Sequence, residues 1–259
     1  MATVMQRTSA TLSLADDLAM ALDAVAFAQS AGIQPDPWQA DVLRSPAKRL
    51  LLNCSRQSGK STTTALLALH QALYTPGSLI LLLSPSLRQS AELFRTLAGL
   101  YSATGAQIPS TAESKLRLEL ENGSRVISLP ASEATVRGYA GVALLVIDEA
   151  ARVDDSLYSS VRPMLATSNG RLVALSTPFG KRGWWSDAWH STHAWMRVHV
   201  TATQCPRISP AFLAEEREQL GDWWYQQEYE CTFLDAETSV FSSEDIGRMF
   251  GQEIESWAL

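Results

Sequence analysis

The leucines Leu50-Leu51-Leu52 run through Asn53-Cys54-Ser55-Arg56-Gln57-Ser58 directly into Gly59-Lys60-Ser61-Thr62, and a segment of helical composition follows. A buried strand, a short loop and a helix opening on Gly-Lys-Ser form an anion cradle. The loop N–H groups and the helix N-terminus converge on phosphate, the lysine neutralises the β and γ oxygens, and the serine hydroxyl ligates Mg²⁺. Lys60 and Ser61 are the candidates for those two roles, within a loop formed by Ser55, Arg56, Gln57, Ser58, Gly59 and Thr62. The usual pattern is G-x-x-x-x-G-K-[ST], and Cys54 stands where the first glycine belongs. Taken alone, the segment therefore reads equally well as an ordinary strand-loop-helix turn with a solvated Lys60.

A second segment shifts that balance. Val142-Ala143-Leu144-Leu145-Val146-Ile147 is a continuous apolar run ending in Asp148-Glu149, the pattern of a strand buried on both faces of a parallel sheet. Acids at the carboxyl end of such a strand sit where open α/β sheets bind ligands. Asp148 is expected in the Mg²⁺ shell, and Glu149, pointing the other way along the strand, is expected to orient or deprotonate the attacking water. The competing reading makes both acids the first turn of a helix. The two segments together, in this order, point to hydrolysis of ATP.

Composition is compatible with this reading. The chain has 259 residues, 46% of them hydrophobic and 19% charged, enough to bury a sizeable core. Cys54, Cys205 and Cys231 show no C-x-x-C spacing, so a reducing compartment is favoured over a disulfide framework. No apolar stretch approaches the ~20 residues of a membrane span, and no membrane association is expected. His190 and His193 lack a convincing third or fourth ligand for zinc. The formal net charge of −6 does not announce nucleic-acid binding. The basic positions Lys48/Arg49, Arg88/Arg95, Lys115/Arg117/Arg125 and Lys181/Arg182 read first as solvated charges.

Along the chain, helices are predicted over residues 14–29, 59–73, 87–101, 155–166 and 210–220, and strands over 49–53, 79–83, 172–175 and 195–200, besides the acid-terminated run. Residues 116–120 and 125–129 flank Asn122-Gly123, a hairpin signal. Alternation of strands with helices implies an α/β fold with a mainly parallel central sheet flanked by helices.

At this level of detail the chain resembles the large terminase subunits of tailed bacteriophages, over about residues 37–241. Cys54-Ser55-Arg56-Gln57-Ser58-Gly59-Lys60-Ser61 resembles the family's form of the loop, in which S-R-Q-x-G-K-[ST] replaces the glycine-first pattern. Pro37-Trp38-Gln39 is similar to its adenine-side motif, Leu145-Val146-Ile147-Asp148-Glu149-Ala150 to its Walker B strand, and Leu175-Ser176-Thr177-Pro178-Phe179-Gly180 to its coupling motif. The resemblance implies a P-loop NTPase fold of the ASCE type with a small lid subdomain. It also implies ATP and Mg²⁺ as cofactors, Gln39 at the base, and Ser176 and Thr177 sensing the γ-phosphate. Arg137, in Arg137-Gly138, resembles an arginine finger acting on a neighbouring subunit, with Arg56 as a competing finger in cis.

The division implied is a core over 32–205, an N-terminal helix and lid over 1–31 and 206–240, and a linker from 241. The partners implied are double-stranded DNA, a portal and procapsid, a small terminase subunit and a ring of identical subunits, all in the host cytoplasm. Complete family members continue into a nuclease domain, so no DNA cleavage is expected from this polypeptide. Two other readings stay open: a helicase-like DNA-dependent ATPase, and a nucleotide-binding assembly module without turnover.

Overall fold

The computed structural model describes residues 13–132, 136 and 138–235. Its centre is an eight-stranded sheet in the order β3-β4-β5-β2-β6-β7-β1-β8. The strands are β1 (Arg49–Cys54), β2 (Leu79–Ser84), β3 (Ser110–Glu113), β4 (Arg117–Leu120), β5 (Arg125–Pro130), β6 (Val142–Asp148), β7 (Arg171–Ser176) and β8 (Met196–Val200). From β5 to β8 every pairing is parallel, and β3 and β4 continue the sheet antiparallel at one edge.

The central strands are apolar on both faces because helices cover both faces. Leu50 and Leu52 face α2 (Ala24–Ser30), α3 (Pro37–Arg44), α4 (Lys60–Tyr74) and α5 (Leu87–Ala103), while Leu51 faces α6 (Asp155–Val161) and α7 (Gly183–His190). All three leucines are fully buried, each contributing about 1.5–3 kcal/mol of burial free energy. On the second face Tyr158 stacks on Trp184 at 3.9 Å, and Trp184 meets Trp185 edge to face.

Four elements depart from expectation. The helix expected over 14–29 is two helices, α1 (Leu14–Leu22) and α2, because Asp23 is extended and its carboxylate accepts from Val25 N–H, starting a new helix. These two helices lie along the distal half of α4, where His70 contacts the Met20 carbonyl and Phe27 packs on His70 and Tyr74. The described part of 1–31 is thus not over the phosphate loop, which sits at the other end of α4. The helix expected over 155–166 gives way at Arg162–Leu165 to a 3₁₀ turn containing Pro163, as the missing N–H of proline demands. Finally, α8 (Pro210–Glu228) runs past the expected end at 220, with a kink where Gly221 takes φ 78°, a conformation open to glycine. Strand β3 has no sequence signature because all four of its side chains are exposed. Among the described residues no helix is long and apolar enough to cross a membrane.

Candidate nucleotide site

The strand order places β6, β7 and β1 side by side, so the carboxyl ends of three sequence-distant segments meet at the N-terminus of α4. The loop between β1 and α4 bends through positive φ at Gln57 (59°) and Gly59 (89°). Gly59 is favoured there by its φ; a Cβ would stand 2.7 Å from Gln39 Nε2 and would require that side-chain end to shift. Ser58 Oγ donates to the Ser55 carbonyl at 2.8 Å, and Lys60 Nζ lies 3.5 Å from the same oxygen. Lys60 is only 8% exposed, so its charge is held at the loop rather than in solvent. Ser61 and Thr62 follow in the first turn of α4.

Strand β6 ends at Asp148, and Glu149 leaves it in a left-handed turn at φ 50°, ψ 46° rather than continuing the alternation. Such a turn costs a non-glycine residue on the order of 1 kcal/mol. It brings Glu149 Oε1 to 4.0 Å from Lys60 Nζ, with Arg152 Nε 3.9 Å from the other oxygen. The Glu149 N–H donates to Asp148 Oδ1 at 3.0 Å. Burial first, and the neighbouring Glu149 carboxylate second, push Asp148 up to about 6, against the pull of Lys60. A buried carboxylate so disfavoured in its charged form is chemically suited to pairing with a hard cation.

Ser176, at the end of β7, is in register with Asn53 of β1, and both are buried. Asn53 Nδ2 donates to the Cys231 carbonyl at 2.9 Å. Ser176 Oγ and Asn53 Oδ1 find no hydrogen-bond partner among the described residues. Thr177 is buried beside them in sequence.

A rim of ion pairs surrounds the loop. Arg56 Nε donates to Glu228 Oε2 at 2.5 Å, and the Arg56 N–H approaches the Glu228 carbonyl at 3.4 Å. The buried Glu228 carboxylate holds Arg56 above its ordinary pKa. Arg207 pairs with Asp36 and also donates to the Ser58 carbonyl. Between these pairs opens a cavity of about 730 Å³, lined by Arg56, Gln57, Arg207, Ile208, Ser209, Phe212 and Tyr229. Gln39 is buried, its Oε1 accepting from the Asp36 N–H at 2.8 Å and its Nε2 3.5 Å from the Gly59 carbonyl.

The structure thus brings Gln39, Ser55–Thr62, Asp148 and Glu149 together, with Ser176 and Thr177 at the end of the intervening strand. Arg137 lies outside the described residues. Motif reading does not reach Arg207 or Glu228, since neither has local sequence context linking it to a loop about 150 or more positions away. A separate cavity of about 680 Å³ lies between α6 and α7 beside Arg49, at the opposite ends of the strands.

With this geometry in view, comparison with known proteins gives a family. The model of the terminase large subunit, T4likevirus-type, N-terminal, matches residues 51–248. The chain belongs to that family. The terminase large subunit of Thermus virus P23-45 is 25% identical over 260 residues, covering 85% of this chain and 53% of the relative. The chain therefore spans about half the length of the curated relatives it matches. Among solved structures, the large terminase ATPase domain of Thermus phage P74-26 superposes with a TM-score of 0.71 at 23% identity, covering 80% of this chain and 97% of that one. The large terminase of another thermophilic bacteriophage, in complex with ADP, gives 0.64 at 12% identity, covering 77% of this chain and 54% of that one. The fold of this terminase chain is that of the P-loop NTPases seen in large terminase ATPase domains.

Proposed function

We propose that this terminase chain hydrolyses ATP with Mg²⁺ and that hydrolysis drives double-stranded DNA into a procapsid. The observation that carries the proposal is the buried Lys60 ammonium held between the loop carbonyl of Ser55 and the Glu149 carboxylate, because it sets a phosphate ligand and a general base at one point. Lys60 and the N–H groups from Ser58 to Thr62 bind the β- and γ-phosphates. Ser61 and Asp148 hold the metal, which when bound neutralises phosphate charge. Glu149 accepts a proton from the attacking water; the strained turn aims it, with Lys60 and Arg152 beside its two oxygens. Ser176 and Thr177 register the loss of the γ-phosphate; the unpartnered Ser176 hydroxyl supports a contact made only in another nucleotide state.

The base lies in the cavity between Gln57 and Phe212, near Gln39. Residues 32–205 serve as the ATPase core and the described part of 206–240 as a small lid. Arg56, engaged by Glu228, is less free to reach phosphate, which supports Arg137 of a neighbouring subunit as the finger in a homo-oligomeric ring, acting with a portal and a small terminase subunit in the host cytoplasm. Steady-state ATPase activity measured against protein concentration tests the ring. Specific activity is expected to rise steeply with concentration, and Arg137→Ala is expected to lower it by about 10³-fold, as loss of an arginine finger does, with ATP binding unchanged. Concentration-independent turnover that survives Arg137→Ala would leave the site self-contained.

A further inference from the structure

Arg207 stands on the short segment between the 3₁₀ turn Ala202–Gln204 and α8. Its guanidinium pairs with both Asp36 oxygens, at 3.0 and 2.7 Å, and Nη2 also donates to the Ser58 carbonyl at 3.1 Å. The partners belong to separate parts of the fold. Asp36 is the N-cap residue of α3, and its N–H holds the Gln39 side chain that packs under Gly59. Ser58 lies in the phosphate loop, directly before Gly59. Arg207 is followed directly by Ile208 and, at the start of α8, by Phe212, which form the wall of the cavity opposite the loop.

We propose that Arg207 is a positioning residue for the base end of the nucleotide, fixing the Ile208–Phe212 wall at its distance from the phosphate loop. The proposal rests on the nucleoside triphosphate site argued above. A planar fork can grip a carboxylate at two points and still reach a carbonyl; an ammonium cannot. Loss of the fork frees the wall and the N-cap of α3 while the loop keeps its own internal bonds, from Ser58 Oγ and Lys60 to Ser55. The effect falls on binding of base and ribose, and neither on triphosphate recognition nor on the chemical step.

The experiment compares ATP, ADP and inorganic tripolyphosphate binding, with kcat and KM, for wild type, Arg207→Ala, Arg207→Lys and Asp36→Asn. Arg207→Ala is expected to weaken ATP and ADP roughly tenfold, a change within the range of one or two lost contacts. Tripolyphosphate affinity and kcat are expected to stay within about twofold of wild type, a tolerance typical of changes outside the interaction removed. Arg207→Lys restores only part of the loss. Asp36→Asn repeats it, and the double variant adds little beyond either change alone. Retained tripolyphosphate binding also shows that the loop is folded in each variant. Equal weakening of ATP and tripolyphosphate, a fall in kcat at unchanged KM, or full rescue by lysine would overturn the assignment. A wild type that binds tripolyphosphate but not ATP would overturn it too, whereas a wild type that binds neither would remove the site reading beneath it.

Discussion

The proposed phosphate side of this site and its proposed base side are built in different ways. On the phosphate side, each contribution is a short continuous stretch at the end of a buried parallel strand: the loop backbone of Cys54 to Ser61 with Lys60, then Asp148-Glu149 and Ser176-Thr177. On the base side, contacts join residues 171 and 172 positions apart, Arg207 to Asp36 and Arg56 to Glu228, through side chains that are half exposed on the arginine end. Backbone packed in a leucine core fixes the first wall. The second depends on ion pairs that solvent and substitution can loosen, so it is the wall that substitution moves more readily.

Substitutions at the pairs and at the acids break or sharpen that contrast. The largest stability effect is expected from Arg56→Ala, because it strands the Glu228 carboxylate, which is 8% exposed on its side chain. A loss of about 2–3 kcal/mol is expected in urea melts, below the 3–5 for a fully buried pair because the arginine end is open to water. A loss no larger than that of a typical surface pair would make the rim as dispensable as other surface charges.

The next effect has the opposite sign. Folding raises Asp148 from 3.8 to about 6, so the folded state binds a proton that the unfolded chain releases. Without nucleotide or metal, stability falls as pH rises from about 4 to about 6, and the loss is complete above that window. Asp148→Asn is expected to flatten this slope and to raise stability at pH 7 by on the order of 2 kcal/mol, read from melts at pH 4.5 and 7. With Mg²⁺ and ADP present, the wild type regains the advantage. A variant less stable at both pH values would mean that the carboxylate serves the fold rather than a cation.

The smallest effect belongs to Glu228→Gln, the other half of the rim pair. Arg56 is 56% exposed on its side chain and can be rehydrated, so about 1 kcal/mol is expected. Equality of the two rim substitutions would remove the asymmetry between buried acid and exposed base.

Much of this contrast is legible in the sequence, and for the same physical reason. Strands buried on both faces announce themselves as apolar runs, so β1, β2, β6 and β7 and the residues at their ends can be read directly. Helix boundaries set by single residues are less visible: Asp23 splits the first helix, and Pro163 shortens another. Strand alternation would carry Glu149 straight on from Asp148, yet it turns left-handed at φ 50°, a conformation that sequence periodicity does not encode. Strand β3, wholly exposed, has no pattern at all. Arg207 and Glu228 cannot be found from local context, because their importance comes entirely from partners brought near by the fold.

The most direct test of the central claim is a pair of measurements on Glu149→Gln: ATP binding at equilibrium and single-turnover hydrolysis at saturating protein. Binding within about twofold of wild type with turnover reduced by about 10²–10⁴, the range for loss of a positioned general base, is the predicted result. Hydrolysis at close to the wild-type rate would contradict it, since the turn that brings Glu149 to Lys60 would then serve some purpose other than catalysis.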